Sequence, residues 1–370
     1  MEMKNSYFLI LNSKEATKKT NYILMKITSK TFGQTSDGQP VELFVMSNDR
    51  IMIKITNYGG IITSIETPDK ESKIANIVCG FDNLSDYLSP NYLGNYPYFG
   101  CLLGRFANRI AKGKYTIGEK EYYGVINNGQ NHLHGGTGFD RKVWTPEIIE
   151  KPDTVSLKLT YVSPDMEEGY PGTLKVCCIY TLDNDNCLTI SFEATTDKTT
   201  ILNLANHTYF NLTGGKENIF DHELELKASH YTESSDLIPT GNILPVAGTP
   251  LDFTKKKKIR QDIASLPEGY DLNFVLDKQN GILPEAAVLS EETSGRTVKV
   301  CTTQPGLQVY TGYWIPELII NGEKKFGRYS GIALETQHYP DSPNHPEFPT
   351  TLLNPGEIFK QTTSFRFGLL

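Results

Sequence analysis

Long apolar runs are missing from this chain of 370 residues: nothing in it approaches the roughly 20 consecutive apolar residues that a membrane-crossing helix requires. Its one early apolar stretch, at residues 7–11, is shorter than the apolar core of a secretory signal. Cysteine is sparse. The six thiols, Cys79, Cys101, Cys177, Cys178, Cys187 and Cys301, show no CxxC spacing, so we read them as reduced thiols of a cytoplasmic protein. A basic surplus is lacking too. With 36 Lys+Arg against 43 Asp+Glu the formal net charge is -7, which argues against nucleic acid or an anionic membrane surface as partner and leaves a small neutral ligand as the better fit. No GxSxG occurs, so a Ser-His-Asp hydrolase of that type has no nucleophile turn. Helical periodicity is the last absence: no window of a dozen residues carries it, and the short candidates at residues 83–88 and 259–266 are capped or broken early.

What the chain does contain is two-residue alternation. Ile51, Ile53 and Ile55 alternate with Met52, Lys54 and Thr56; Val155, Leu157, Leu159 and Tyr161 with Ser156, Lys158 and Thr160; Leu188, Ile190, Phe192 and Ala194 repeat the pattern. These are half-buried strands. Turn chemistry separates them at Asn57-Tyr58-Gly59-Gly60, at Gly118, at residues 183–186 and at Gly214-Gly215. If the segment around Cys177 and Cys178 is a strand, the two thiols point to opposite faces. Many strands without a repeat of blade length predict an all-β fold, a large antiparallel β-sandwich rather than a propeller. Length would permit two domains, but no Pro/Gly/Ser-rich linker divides the chain, and the lysines at 255–258 read as a solvated loop. Met25 immediately precedes the first convincing strand. We therefore expect one domain over residues 25–370, with residues 1–24 either a disordered extension or a start-site artefact, and take the sequons at Asn83, Asn206 and Asn211 as chance matches.

Several stretches carry polar groups in suggestive settings. Residues 331–349, GIALETQHYPDSPNHPEFP, place Glu335 at the end of an alternating apolar run, before a proline-punctuated loop that is neither regular helix nor central strand. On composition alone it is a surface carboxylate at a strand end; the competing reading is a carboxylate facing a cleft. Residues 203–215, NLANHTYFNLTGG, set His207 among aromatic and apolar neighbours, so one acid and one base are available. In GRFANRIAKGKY, Asn108 and Arg109 stand side by side, and a planar guanidinium beside an amide suits vicinal hydroxyls, although a structural arginine at a strand end accounts for it equally. In NNGQNHLHGGTGFD, Gly135, Gly136 and Gly138 lack the GKS/T and the following helix of a phosphate cradle, and His134 reads as a polar group on a tight loop. A metal set can be drawn from His338, Asp341 and His345, or from His132 and His134, but the spacing matches no closed structural site, so no metal is expected.

Taken together, NYGGIITSIETPD, GRFANRIAKGKY, NHLHGG, ANHTYFNLTG, GYDLNFVL, TTQPGLQVYTG and LETQHYPDSPNHP resemble, in order and over nearly all of the chain after Met25, the aldose 1-epimerase family, the galactose mutarotases. The resemblance implies the galactose mutarotase-like β-supersandwich and the interconversion of α and β anomers of free hexoses such as galactose and glucose, with no cofactor. By position it implies His207 as catalytic acid and Glu335 as catalytic base, with Asn108, Arg109, His134, Asp271 and Gln308 as substrate contacts and Tyr209 beside the acid. Glutamate, with a reference pKa of about 4.3, suits the base, and histidine, near 6.5, suits the acid if a neighbouring carboxylate keeps it protonated. The alternative outside enzymes is a non-catalytic carbohydrate-binding β-sandwich module using the 20 Tyr, 17 Phe and 2 Trp as stacking platforms. Within enzymes, phosphorylated hexoses would call for a basic cluster that the sequence does not show, and glycoside hydrolysis by Asp271 with Glu335 ranks below both.

Overall fold

In a computed structural model the described residues are 25–320 and 323–370. The expectation for residues 1–24 lies outside them. Three antiparallel sheets carry the fold. Five strands run in order from Lys26–Gln34 to Ile74–Asn76, nine form a sheet bounded by Thr145–Lys151 and Lys257–Lys258, and six form the sheet that matters for the site. Its order is Tyr209–Phe210, Ile332–Gln337, Gly306–Tyr310, Asp271–Val275, His230–Ser235 and Ile238–Pro245. The alternating segments form strands as expected, at Met52–Thr56, Thr154–Ser163 and Cys187–Thr196. Cys177 and Cys178 fall in the strand Leu174–Asp183, the first half-buried and the second fully buried.

Period-two alternation explains why one core can serve all three sheets. Ile53 and Ile55, Leu157 and Leu159, Ile190 and Phe192, and Leu307, Val309, Ile332 and Leu334 turn inward into one buried cluster. In the six-stranded sheet the apolar side chains take one face, so Asp271, Gln308, Tyr310 and Glu335 necessarily take the other. That second face meets not solvent but a layer of loops. Two short helices, Leu84–Tyr87 and Pro90–Gly94, build part of the layer. The second was not legible as a helix: at five residues it shows no period, yet Ser89 caps it by accepting the Tyr92 N–H at 3.3 Å, and Pro90 sits at its first turn. Tyr87 and Tyr92 are buried there, and their hydroxyls accept the N–H groups of Phe81 and Phe99 at 2.9 Å each, which braces residues 93–98 over the sheet.

One expectation needs amendment. The lysine run is not simply a solvated loop: Lys257–Lys258 is a two-residue edge strand paired with Glu223–Leu226, and Lys256, Lys257 and Lys258 reach Glu223, Asp262 and Glu292 at 3.0, 2.7 and 3.2 Å. Charged side chains on an edge strand discourage further strand addition. Among the described residues no helix is long and apolar enough to cross a membrane.

Candidate active site

A cavity of about 730 Å³ opens between the six-stranded sheet and the loop layer, and all eight residues singled out above, Asn108, Arg109, His134, His207, Tyr209, Asp271, Gln308 and Glu335, line it. Four come from the sheet. Gln308 and Glu335 are direct cross-strand partners, Asp271 lies one strand further across, and Tyr209 pairs with Ala333 on the other side of Glu335's strand. Sheet registry therefore sets the spacing of these groups. Gln308 Nε2 donates to Asp271 Oδ1 at 2.6 Å, which leaves Gln308 Oε1 buried with no partner among the described residues.

Loops bring Asn108, His134 and His207, and Arg109 comes from a two-residue strand, Arg109–Ile110, paired with His132–Leu133. Asn108 and His134 both adopt left-handed backbone, at φ 65° and 54°, and interlock: the His134 N–H donates to the Asn108 carbonyl at 3.0 Å while the Asn108 N–H donates to His134 Nδ1 at 3.0 Å. A backbone N–H can only donate. His134 Nδ1 is therefore the acceptor, and the neutral ring carries its proton on Nε2. Burial pushes this imidazole well below the ordinary histidine range, with His207 and Arg109 adding to the effect. Arg109 is anchored by Nε donating to Asn128 Oδ1 at 3.3 Å.

His207 Nε2 stands 3.6 Å from Glu335 Oε1, and both side chains are buried. His207 Nδ1 and Glu335 Oε2 have no partner among the described residues. Leaving such groups unpaired costs about 1–3 kcal/mol each, which marks a surface kept ready for a polar ligand. The electrostatics differ from expectation. Burial pushes His207 down to about 3, so the nearby carboxylate does not by itself hold the ring protonated. Burial pushes Glu335 well above the ordinary carboxylate range, with Asp271 adding to the rise and Arg109 opposing it. Both shifts point the same way: a proton taken up by the pair goes to the carboxyl before the ring.

His134, His207 and Glu335 bring potential metal-ligating atoms within 4.8 Å of one another. The donor set does not suit a catalytic metal, since His134 spends its free lone pair on the Asn108 N–H; two side chains remain where such sites use three. The histidines drawn together on paper are otherwise engaged. His338 Nδ1 meets Gln304 Oε1 at 2.8 Å, and His345 pairs with Asp341 at 3.3 Å and with Glu347 at 3.2 Å. The glycines near His134 serve packing. A Cβ at Gly135 or Gly138 would lie 2.0 or 2.2 Å from the Gly104 carbonyl oxygen.

Sequence reasoning missed several lining residues. Tyr98 stacks on His207 at 6.0 Å and meets His134 edge-on at 4.6 Å, in left-handed backbone (φ 58°) that is uncommon for a bulky residue. The aromatic density of YLGNYPYFG was its signal. Tyr310 follows Gln308 by two in the same strand and so shares its face, a reading period two allowed. Arg141, in the short 3-10 turn Phe139–Arg141, and Trp314, in a loop, line the cavity with no comparable pattern. Arg105, in the segment of Arg109, does the opposite of its neighbour: it is buried and donates to Ser163 Oγ, Ser163 O, Pro164 O and Pro171 O at 2.8–3.1 Å, holding loops together.

An antiparallel β-sandwich with a buried imidazole and carboxylate facing one another in a polar, aromatic-walled cavity defines an acid/base site for a small polyhydroxylated ligand. The family model for aldose 1-epimerase matches residues 42–366, and this chain belongs to that family. It is 42% identical over 353 residues to galactose mutarotase of Mus musculus, covering 94% of this chain and all of that protein. It is 32% identical over 342 residues to aldose 1-epimerase of Escherichia coli, covering 90% and 96%. Among solved structures, galactose 1-epimerase from Lactobacillus acidophilus superposes with a TM-score of 0.82 at 29% identity, covering 94% of this chain and 99% of that one.

Proposed function

We propose that this protein interconverts the α and β anomers of free aldoses such as galactose and glucose by opening and reclosing the hemiacetal ring, with Glu335 as base and His207 as acid. The observation that carries this is their mutual placement, buried and 3.6 Å apart in one cavity. The two reacting oxygens of a cyclic aldose, the C1 hydroxyl and the ring oxygen, are bonded to the same carbon, so an acid and a base must converge on one point. A binding module has no use for that.

In the working state the carboxylate takes the proton of the C1 hydroxyl as the bond from C1 to the ring oxygen breaks, and the ring oxygen takes its proton from the imidazolium. The open aldehyde turns about C1–C2, the hydroxyl attacks the other face of the carbonyl, and both protons return. Nothing is consumed. The pair carries zero net charge whether its proton sits on Glu335 or on His207, so moving it to the ring brings no new net charge into the cavity. A bound sugar hydroxyl donating to the carboxylate favours that move, and Arg109 already pulls the same way. Asn108, Arg109, His134, Asp271 and Gln308 are suited to hold the remaining hydroxyls. His134 offers an N–H, Gln308 and Asp271 offer acceptors, and Tyr209 supports the imidazole at 4.8 Å between rings. The test is polarimetry or exchange NMR on freshly dissolved single anomers across a panel of free aldoses. Equilibration faster than the buffer rate is expected; the spontaneous rate with folded protein would refute the assignment.

A further inference from the structure

Three stretches of chain supply the acid, the base and the Asn108–Arg109 pair, and all three meet at one residue that does not line the cavity. Asn203 is fully buried. Its backbone N–H donates to the Arg105 carbonyl at 3.0 Å and its carbonyl accepts the Ala107 N–H at 2.7 Å, forming a parallel bridge that straddles Phe106. Its side chain makes a second set of bonds. Oδ1 accepts the His338 N–H at 2.9 Å, and Nδ2 donates to the Ala107 carbonyl at 3.1 Å and to the His338 carbonyl at 3.4 Å. Both amide donors and the oxygen are thus engaged with backbone, and no side-chain N–H is left over for a ligand.

The distances along the chain are short. Asn203 precedes His207 by four residues, the first of the two stretches it grips ends next to Asn108 and Arg109, and His338 follows Glu335 by three. Little slack can develop between the anchor and each functional side chain, because the intervening residues are themselves pinned: Ala205–Asn206 pairs with Leu102–Leu103, the His207 N–H donates to the Cys101 carbonyl, and Glu335 lies in a six-residue strand paired on both sides. A residue wanted for packing alone would be apolar. An amide that ties three separate stretches by side chain and backbone is wanted for geometry.

We propose that Asn203 is a positioning residue that fixes His207, Glu335 and the Asn108–Arg109 pair relative to one another. The inference rests on the acid/base reading above. It predicts a specific failure in Asn203→Asp. The carboxylate keeps an acceptor for the His338 N–H but turns oxygen, in place of N–H, toward the Ala107 and His338 carbonyls. Its protonated form regains one donor. Misplacement on the order of 1 Å costs roughly 10²-fold in rate.

The experiment measures anomer exchange for wild type, Asn203→Asp and Asn203→Ser, together with binding of 1-deoxygalactose, which lacks the C1 hydroxyl and cannot react. Expected is a fall in kcat of about 10²-fold for Asn203→Asp at neutral pH, with affinity for the analogue changed by less than about tenfold. The ratio of variant to wild-type kcat should rise as pH is lowered and the new carboxyl is protonated, a response that general loosening of the fold would not give. Should Asn203→Asp fail to fold, Asn203→Ser, which keeps one hydroxyl for the His338 N–H, carries the same kcat-against-binding comparison. Folded variants with wild-type kcat, or a loss shared equally by kcat and analogue binding with no pH-dependent recovery, would overturn the role of Asn203 while leaving the acid/base reading intact. Wild-type protein without exchange activity would overturn both.

Discussion

Asn108 and His134 clasp one another through a pair of 3.0 Å hydrogen bonds, and one of the two, from the Asn108 N–H to His134 Nδ1, decides which face of the imidazole is left for a ligand. The ring presents Nε2–H, a donor. We expect nitrogen-15 NMR to show His134 neutral with its proton on Nε2, and chelator-treated protein to keep its full rate of anomer exchange. A proton on Nδ1, or activity lost to chelator and restored by a divalent ion, would contradict this geometry.

Removing either member of the acid/base pair should cost most of the rate above the spontaneous background. General acid or base assistance contributes about 10²–10⁴-fold, so His207→Asn and Glu335→Gln should each bring polarimetric relaxation close to that of buffer while circular dichroism stays that of the folded protein. A variant retaining most of its activity would show that the proton is handled elsewhere.

How much of this could be read from the chain follows from what each feature depends on. Alternation in residues 51–56, 155–161 and 188–194 is local, and it gave the strands and the all-β class directly. The eight lining residues were reached through sequence blocks that recur together, not through physics visible in any one block; Glu335 taken alone was a strand-end carboxylate. What stayed hidden depends on contacts between distant segments. Nothing local distinguishes Arg105, which braces loops around Ser163, from Arg109, which faces the cavity. Burial of His207 likewise comes from Tyr98 and Tyr209 packing over it, so the direction of its pKa could not be set by residue type and one presumed neighbour.

Arg109 is held from behind by the loop that follows Glu335. The Asp341 N–H donates to the Arg109 carbonyl at 2.9 Å, and Asp341 Oδ1 accepts the Ala111 N–H at 2.9 Å, so one residue brackets the arginine. Arg109→Ala should raise KM and lower kcat together if, as proposed, the guanidinium positions the sugar rather than transferring protons. Asp341→Ala should do the same more weakly. Steady-state kinetics decide; a fall in kcat at unchanged KM for Arg109→Ala would refute the positioning role.

Acid stability offers a check on the fold remote from the site. His222 is fully buried, its Nε2 accepts the Leu212 N–H at 2.8 Å, and burial pushes it down to about 4. Its folded pKa lies below the unfolded value near 6.5, so the unfolded chain binds the extra proton first. The contribution is intact above 6.5 and is lost progressively as pH falls from there toward 4. By linkage this one group should lower stability by roughly 2 kcal/mol between pH 7 and pH 5. Urea unfolding at the two pH values measures it, and a His222→Gln variant, which keeps an acceptor, should show a smaller difference between them. Equal pH dependence in the two proteins would refute the assignment.

The location of the catalytic proton is the sharpest test of the chemistry. Burial drives His207 toward the neutral ring and Glu335 toward the neutral carboxyl, so a proton shared by the pair in the free protein should sit on the carboxyl and leave the ring neutral. Catalysis as proposed begins from the opposite arrangement, with the carboxylate facing the C1 hydroxyl and the imidazolium facing the ring oxygen. Since both arrangements carry the same total charge, the choice turns on hydrogen bonds to the carboxylate, which a sugar supplies and an empty cavity does not. Nitrogen-15 NMR should therefore show His207 neutral in the free protein and shifted toward the imidazolium when a saturating aldose is added, with no net proton uptake by calorimetry in buffers of different ionisation enthalpy. The pair keeps one proton only between a lower limit near 3, where the ring takes a second, and the raised ionisation of Glu335, above which both groups are bare. Activity should fall on both sides of that window. An imidazolium already present in the free protein, or a ring that stays neutral under saturating sugar, would move the acid away from His207.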